Sequence, residues 1–300
     1  MATATKAPPG TSPADPPPMK GVTHRYADAN GIRIHYAEAG DGPPLLLLHG
    51  WPQHHYMWHD VIEELRGTYR VIAPDLRGFG WSEAPGDGYS PETFVQDQIA
   101  LLDALEIEKV RVIGHDWGGW TTFLLALDHP ERCERIMPLN IPHPWPRLSP
   151  WTIADQLPRG WYAAVMATPP VGRLLQTQTD FIKRGLRGAS APDTFGDNEL
   201  EIYAAPYRDP ARAEAASSLY RYYVGLNASV LRGSPIRRAR LTVPTLLLFG
   251  ENDAAISTRL VRDGWQEHAD DMAVEFTQNG HFIVNESPSL VAERARAFFG

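Results

Sequence analysis

Three residues occur in an order that could support covalent chemistry: Asp116 in GHDWGG, Asp253 in GEND and His281 in NGHF. A carboxylate nucleophile, an orienting acid and a histidine base form a triad recognised by role and chain order, not by fixed spacing. Asp116 also has an ordinary explanation, because aspartate is a favoured helix N-cap and the helix-like run WTTFLLALDHP follows it. The glycines at 114, 118 and 119 weigh against a simple cap, which needs none of them. A nucleophile elbow does need small residues there, so that strand and helix can approach across a strained turn. No Gly-x-Ser-x-Gly occurs in the chain, so no serine competes for the role.

Asp253 and His281 each follow an apolar run, which puts both in loops at the carboxyl edge of a sheet. Singly they could be a turn aspartate and a surface histidine; the ordered trio favours the triad. Glu251 is the nearest competitor to Asp253, and Asn140 leaves the alternative acid position at the preceding main strand empty. The HGWP loop, residues 49–52, supplies the expected oxyanion hole. Its donors are the backbone N–H of Trp51 and that of Trp117, the residue after the nucleophile.

An aspartate is a poor acyl-transfer nucleophile, but it ionises below pH 7 and suits displacement at an sp³ carbon. Such attack makes an alkyl ester of Asp116. Water activated by His281 can then attack the Asp116 carbonyl, release an alcohol and regenerate the enzyme.

Weaker signals are given structural readings. His55 and His59 stand at helical i, i+4 spacing, but HHYMWH lacks the glutamate of HExxH, and no metal or cofactor is expected. APDLRGFGWS lacks the third glycine of a dinucleotide fingerprint, and Asp75 within it reads as a structural turn residue. Arg237, Arg238 and Arg240 read as a solvated hinge.

The elements that position these residues are an alternation of strands and helices. VTHRYADANGIRIHYAEAG reads as a hairpin about Asn30-Gly31, the favoured type I′ pair. PLLLL, YRVIAP, KVRVIGH and CERIMPL are strand-like. SPETFVQDQIALLDAL reads as a helix capped by Ser90, with Pro91 at its first position and Val95, Ile99 and Leu102 along one face. Unbroken apolar strands joined by helices imply a parallel sheet covered on both faces. The alternation stops over residues 142–240, which are rich in Pro, Trp, Tyr and Arg. It returns at TVPTLLLFG, after which a helix, the strand MAVEFT and a last helix are expected. The predicted organisation is therefore a disordered Pro-rich tail (1–21), an α/β core (22–141 and 241–300) and a helical lid (142–240).

Composition removes other classes. The chain has 300 residues, 43% of them apolar, enough for a large core. A net charge of −8 argues against nucleic-acid or anionic-membrane surfaces. No apolar run approaches the ~18 residues of a membrane-spanning helix. The single cysteine, Cys133, suits a reducing compartment, and a cytoplasmic location is expected. Nothing in the sequence sets an oligomeric state.

Together HGWP, DLRGFGWSE, GHDWGG, GEND and NGHF resemble the α/β-hydrolase family, and within it the epoxide hydrolases. The resemblance covers residues 22–141 and 241–300. It implies an eight-stranded sheet with a helical lid, Asp116 as nucleophile, His281 as base, Asp253 as orienting acid and a cis Trp51–Pro52 peptide. It also implies two lid tyrosines aimed at the nucleophile. SSLYRYYVG offers Tyr220-Arg221, with Leu219 where an aromatic is usual. RGWYAAVMATPP offers Tyr162, at a longer spacing from its proline than usual, and Tyr222 is a further phenol nearby.

The expected substrate is a small apolar epoxide, opened to a vicinal diol with water. The alternative is a haloalkane dehalogenase, which shares Asp116 and Trp117 but typically carries Asn after His-Gly, where this chain has Trp51. Fluoroacetate dehalogenases carry Arg after the nucleophile, where this chain has Trp117. An epoxide oxygen leaves as an alkoxide and needs a proton or strong hydrogen bonds, which tyrosines supply; a halide needs only N–H donors.

Overall fold

The computed structural model describes the backbone of residues 15–231 and 235–300, and their side chains except those of 226–231, 235 and 237. The hairpin forms as its sequence requires. β1 (Thr23–Ala29) and β2 (Ile32–Ala39) pair antiparallel about Asn30 and Gly31, both at positive φ (48° and 75°). Such a turn follows the right-handed twist of the strands it joins. Residues 1–14 of the expected tail lie outside the described residues. Residues 15–21 are held: Met19 packs against the core and its carbonyl accepts from the Val22 N–H at 3.2 Å.

The remaining strands are β3 (Pro44–Leu48), β4 (Arg70–Pro74), β5 (Val110–His115), β6 (Cys133–Leu139), β7 (Thr245–Gly250) and β8 (Met272–Thr277). They complete one eight-stranded sheet in the order β1-β2-β4-β3-β5-β6-β7-β8, parallel from β4 to β8. Leu45, Leu46, Leu47 and Leu48 of β3 are fully buried, because helices cover both faces of the sheet. Each contributes about 1.5–3 kcal/mol of transfer free energy. The covering helices include α1 (His59–Leu65), α2 (Pro91–Ala104), α3 (Trp117–Asp128) and, at the C-terminus, α10 (Ile283–Glu286) and α11 (Pro288–Phe299). On α2 the Ser90 side chain accepts from the Thr93 N–H, as its sequence predicts, and Val95 and Leu102 are buried.

Between β6 and β7 the described residues contain α4 (Pro150–Arg159), α5 (Trp161–Ala167), α6 (Val171–Gln178), α7 (Phe181–Gly188), α8 (Asp197–Ala204) and α9 (Pro210–Leu231). The expected helix between β7 and β8 is absent; Thr258–Leu260 makes only a 3-10 turn. Two features stop a helix there. Asp253 captures the amides of Ala255 and Ile256. Gly264 sits at φ +114°, where an added Cβ would lie 1.9 Å from the Trp145 carbonyl oxygen. Of the expected hinge arginines, the Arg237 side chain lies outside the described residues, Arg238 is exposed and Arg240 pairs with Asp270.

Strand order decides what meets at the carboxyl edge. Leu48 of β3 pairs with Gly114 of β5, His115 of β5 with Leu139 of β6, Leu139 with Leu248 of β7, and Gly250 of β7 with Thr277 of β8. The loops after these five strands carry Trp51, Asp116, Asn140, Asp253 and His281 side by side.

Candidate active site

Asp116 occupies the turn between β5 and α3 at φ 50°, ψ −118°, a conformation that strains any residue with a Cβ. It makes no side-chain cap hydrogen bond, so the N-cap explanation fails. The flanking glycines show why the turn can exist. A Cβ on Gly118 would lie 2.2 Å from the Leu48 carbonyl oxygen, and one on Gly114 would lie 2.3 Å from the Gly118 carbonyl oxygen. A Cβ on Gly50 would lie 2.5 Å from Asp116 Oδ2.

The carboxylate of Asp116 is buried and meets both expected oxyanion donors. The Trp51 amide donates to Asp116 Oδ2 at 3.1 Å, and the Trp117 amide also donates to the carboxylate. Trp51–Pro52 is cis. Burial raises Asp116 to about 6, against the pull of His281 and of these two amides.

His281 Nδ1 lies 2.8 Å from Asp253 Oδ2. Asp253 is buried and well supplied with donors: Asn140 Nδ2 at 2.8 Å on Oδ2, and the Ala255 and Ile256 amides at 2.7 and 2.9 Å on Oδ1. Burial alone would raise its pKa, but His281 and these donors outweigh burial and hold it below the ordinary carboxylate range. For His281 burial disfavours the imidazolium; Asp253 and then Asp116 outweigh this and lift it to about 9. Glu251, the competing acid, faces away, pairing with Arg262 at 3.1 Å and accepting from Gln278.

The two expected tyrosines come together over Asp116. Tyr162 on α5 stacks on Trp51 with ring centroids 6.0 Å apart. Tyr220 on α9 stands edge-on to Tyr162, Trp51 and Trp117 at 5.6, 5.3 and 5.9 Å. Burial first, and then nearby charge including that of Asp116, pushes both phenols well above their ordinary range, so both keep their protons. The Trp117 side chain opposes this at Tyr220 through a hydrogen bond. Tyr222 points elsewhere: its hydroxyl bonds Glu92 on α2. Tyr223, one residue on, reaches the site instead, with its ring 5.6 Å from Trp117.

Among the described residues two cavities meet at Tyr162. One, of about 320 Å³, is lined by Asp116, Trp117, Ile141, Tyr162, Tyr220 and Tyr223 and is mostly apolar. The other, of about 440 Å³, reaches Trp51, Phe181, Arg184 and His281. The arrangement can hold a small apolar molecule against a carboxylate, with the phenols of Tyr162 and Tyr220 lining the same cavity.

Sequence reasoning missed three contributors. Asn140 supports Asp253; its place at a strand's carboxyl end is visible in the sequence, its partner is not. Tyr223 could have been found from its i+3 spacing to Tyr220. The third is Ala189, whose carbonyl accepts from the His281 amide at 3.1 Å, and nothing in its local sequence marks it.

This fold and site define an α/β hydrolase. Residues 43–288 match the family described as alpha/beta hydrolase fold, and the chain belongs to that family. It is 31% identical over 289 residues to the soluble epoxide hydrolase of Corynebacterium sp. (strain C12), covering 93% of this chain and 97% of that protein. It is 28% identical over 287 residues to haloalkane dehalogenase 2 of Mycobacterium bovis, covering 95% and 97%. Among solved structures it is similar to epoxide hydrolase CorEH without ligand, with a TM-score of 0.79 at 30% identity over 93% of this chain and 98% of that one. No helix among the described residues is long and apolar enough to cross a membrane.

Proposed function

We propose that the protein opens small apolar epoxides to vicinal diols through a covalent ester on Asp116. The observation that carries this reading is the pair of protonated phenols, Tyr162 and Tyr220, that line one apolar cavity with Asp116. The Trp51 amide holds Oδ2, and in this reading Oδ1 attacks the epoxide carbon. The tyrosines donate to the ring oxygen as its C–O bond breaks, which stabilises the developing alkoxide. Residues 142–240 act as the lid that carries them.

Alkylation removes the charge of Asp116, one of the anions that raise His281, so the histidine pKa falls and a neutral base becomes available. His281 then takes a proton from water as its oxygen adds to Cγ of Asp116, and when the ester collapses His281 returns that proton to the departing alkoxide oxygen to release the diol. The oxyanion of that step forms on the carboxyl oxygen already held by the Trp51 amide, with the Trp117 amide as a second donor to the same carboxyl group. Asp253 keeps the Nδ1 proton of His281 facing itself and Nε2 free for the water.

Haloalkane dehalogenation is the second reading, favoured by the Trp117 indole beside the same cavity. Against it, the Trp51 indole N–H is engaged by Gln176 at 3.4 Å and does not offer a second halide donor.

The deciding experiment uses His281→Gln. Mixed with an epoxide such as styrene oxide, it should accumulate an adduct on the peptide containing Asp116, detectable by mass spectrometry. Adduct-free turnover would rule the mechanism out, and brisk halide release from haloalkanes by the native chain would promote the second reading.

A further inference from the structure

Away from the catalytic cavity, three histidines from distant parts of the chain converge. His24 lies on β1, His35 on β2 and His55 in the 3-10 turn (His55–Trp58) that follows the HGWP loop. One ring nitrogen from each lies within 4.8 Å of the other two. The hairpin register pairs Tyr26 with His35, so His24 is the diagonal neighbour of His35. His35 and His55 are fully buried, and His24 is partly so.

We propose that His24, His35 and His55 form a binding site for one zinc ion. Asp75 prepares the ligands without being one of them. Its Oδ2 accepts from His35 Nδ1 at 2.7 Å and from the Trp81 amide at 2.8 Å. Its Oδ1 accepts from the His55 amide at 2.8 Å and from His55 Nδ1 at 2.9 Å. With four donors around it, this carboxylate is saturated. It fixes both imidazoles with the proton on Nδ1 and the lone pair on Nε2, the tautomer that a carboxylate–histidine–zinc arrangement requires.

Of the two lone pairs so aimed, that of His55 is not otherwise consumed. His55 Nε2 is buried with no hydrogen-bond partner, and buried nitrogens without partners are uncommon enough to need a cause. His35 Nε2 faces His24 Nδ1 at 3.0 Å. Zinc with N–metal bonds of about 2.0–2.1 Å spaces its nitrogens about 3.3 Å apart when tetrahedral, so small ring movements close the site. Binding replaces the His24–His35 contact with two N–zinc bonds. The His24 proton moves to Nε2, and a water takes the fourth position. Three neutral imidazoles and no thiolate favour zinc over magnesium or calcium.

His55 stands four residues after Trp51, whose amide touches Asp116. A zinc ion would therefore tie the edge hairpin to the loop that carries one oxyanion donor. His59, the helical partner of His55, is excluded: its Nδ1 contacts the Tyr56 carbonyl at 2.9 Å and its Nε2 pairs with Asp60 at 3.2 Å.

The test uses the full, tag-free chain stripped with chelator and titrated with Co²⁺ as a spectroscopic probe, then with Zn²⁺. Native protein should bind about one Co²⁺ per chain with the strong visible bands of tetrahedral cobalt, and Zn²⁺ should displace it and raise Tm by several degrees. His24→Gln, at a partly buried edge-strand position, should weaken binding at least about tenfold. His24→Cys should restore it with an added sulfur-to-cobalt band, and His59→Gln should bind as native. A native chain that takes up no cobalt, or a His24→Gln chain that binds as native, would overturn the proposal. Either outcome is independent of whether the enzyme opens epoxides.

Discussion

Asn140 Nδ2 donates at 2.8 Å to Asp253 Oδ2, the same oxygen that faces His281 Nδ1 at 2.8 Å. Asn140 also donates to the Gly280 carbonyl at 3.0 Å, so one amide group braces both Asp253 and the loop that carries His281. Asn140→Ala should leave an under-supplied buried carboxylate and a less constrained His281. Hydrogen bonds to charged groups contribute about 1.5–3 kcal/mol, which sets an expected loss of about 10- to 100-fold in ester hydrolysis. Single-turnover kinetics should show alkylation changed little and hydrolysis slowed; equal loss in both steps would point to a general structural defect.

The two half-reactions should depend on pH in different ways. Attack needs the Asp116 carboxylate, which burial raises to about 6. The alkylation rate should therefore be near its plateau at pH 7 and fall about tenfold per unit well below pH 6. Hydrolysis needs neutral His281. Its pKa of about 9 in the free protein drops once Asp116 is esterified, so hydrolysis should rise with pH and level off below pH 9. Rapid-mixing experiments at pH 6 should show more alkyl-enzyme than at pH 8. The reverse order would mean that His281 is not the base.

Tyr220→Phe removes one donor and keeps the ring packed against Trp51 and Trp117. Epoxide opening should slow by about 10²-fold, and a double change with Tyr162→Phe should nearly abolish it. Tyr222→Phe is the matched control, because its hydroxyl bonds Glu92 outside the site; its single-turnover alkylation rate should equal that of the native chain. An unimpaired Tyr220→Phe variant would remove the ground for the epoxide reading.

Gly118→Ala tests the elbow itself. The new methyl would lie 2.2 Å from the Leu48 carbonyl oxygen and 2.4 Å from its carbon, both backbone atoms that cannot rotate away. We expect a loss of about 1–3 kcal/mol or more, read as a lower Tm, together with reduced alkylation. Gly225→Ala on α9, where a Cβ meets nothing within 4 Å, should leave Tm unchanged or raise it slightly.

Local signals carried much of this protein. The Asn30-Gly31 turn, the Ser90 cap, the PLLLL strand and the glycines about Asp116 act over a few residues, so their types alone determined the hairpin, the helix start, the buried strand and the strained turn. Chain order carried Asp116, Asp253 and His281, because each follows a strand and parallel strands end on one edge. The loop after β7 went the other way. The sequence predicts a helix there, but long-range demands from Asp253 and the Trp145 backbone break it into turns. Which acid meets His281, which tyrosine faces Asp116 and which only reaches Glu92 depended on strand order and helix rotation, neither of which is written in neighbouring residues. The histidines show the same limit most clearly. The helical spacing of His55 and His59 suggested the only pair to consider, whereas the sheet brought His24 and His35 to His55 from 31 and 20 residues away in sequence. Side-chain chemistry is local, but the convergence of lone pairs is a property of the packed chain.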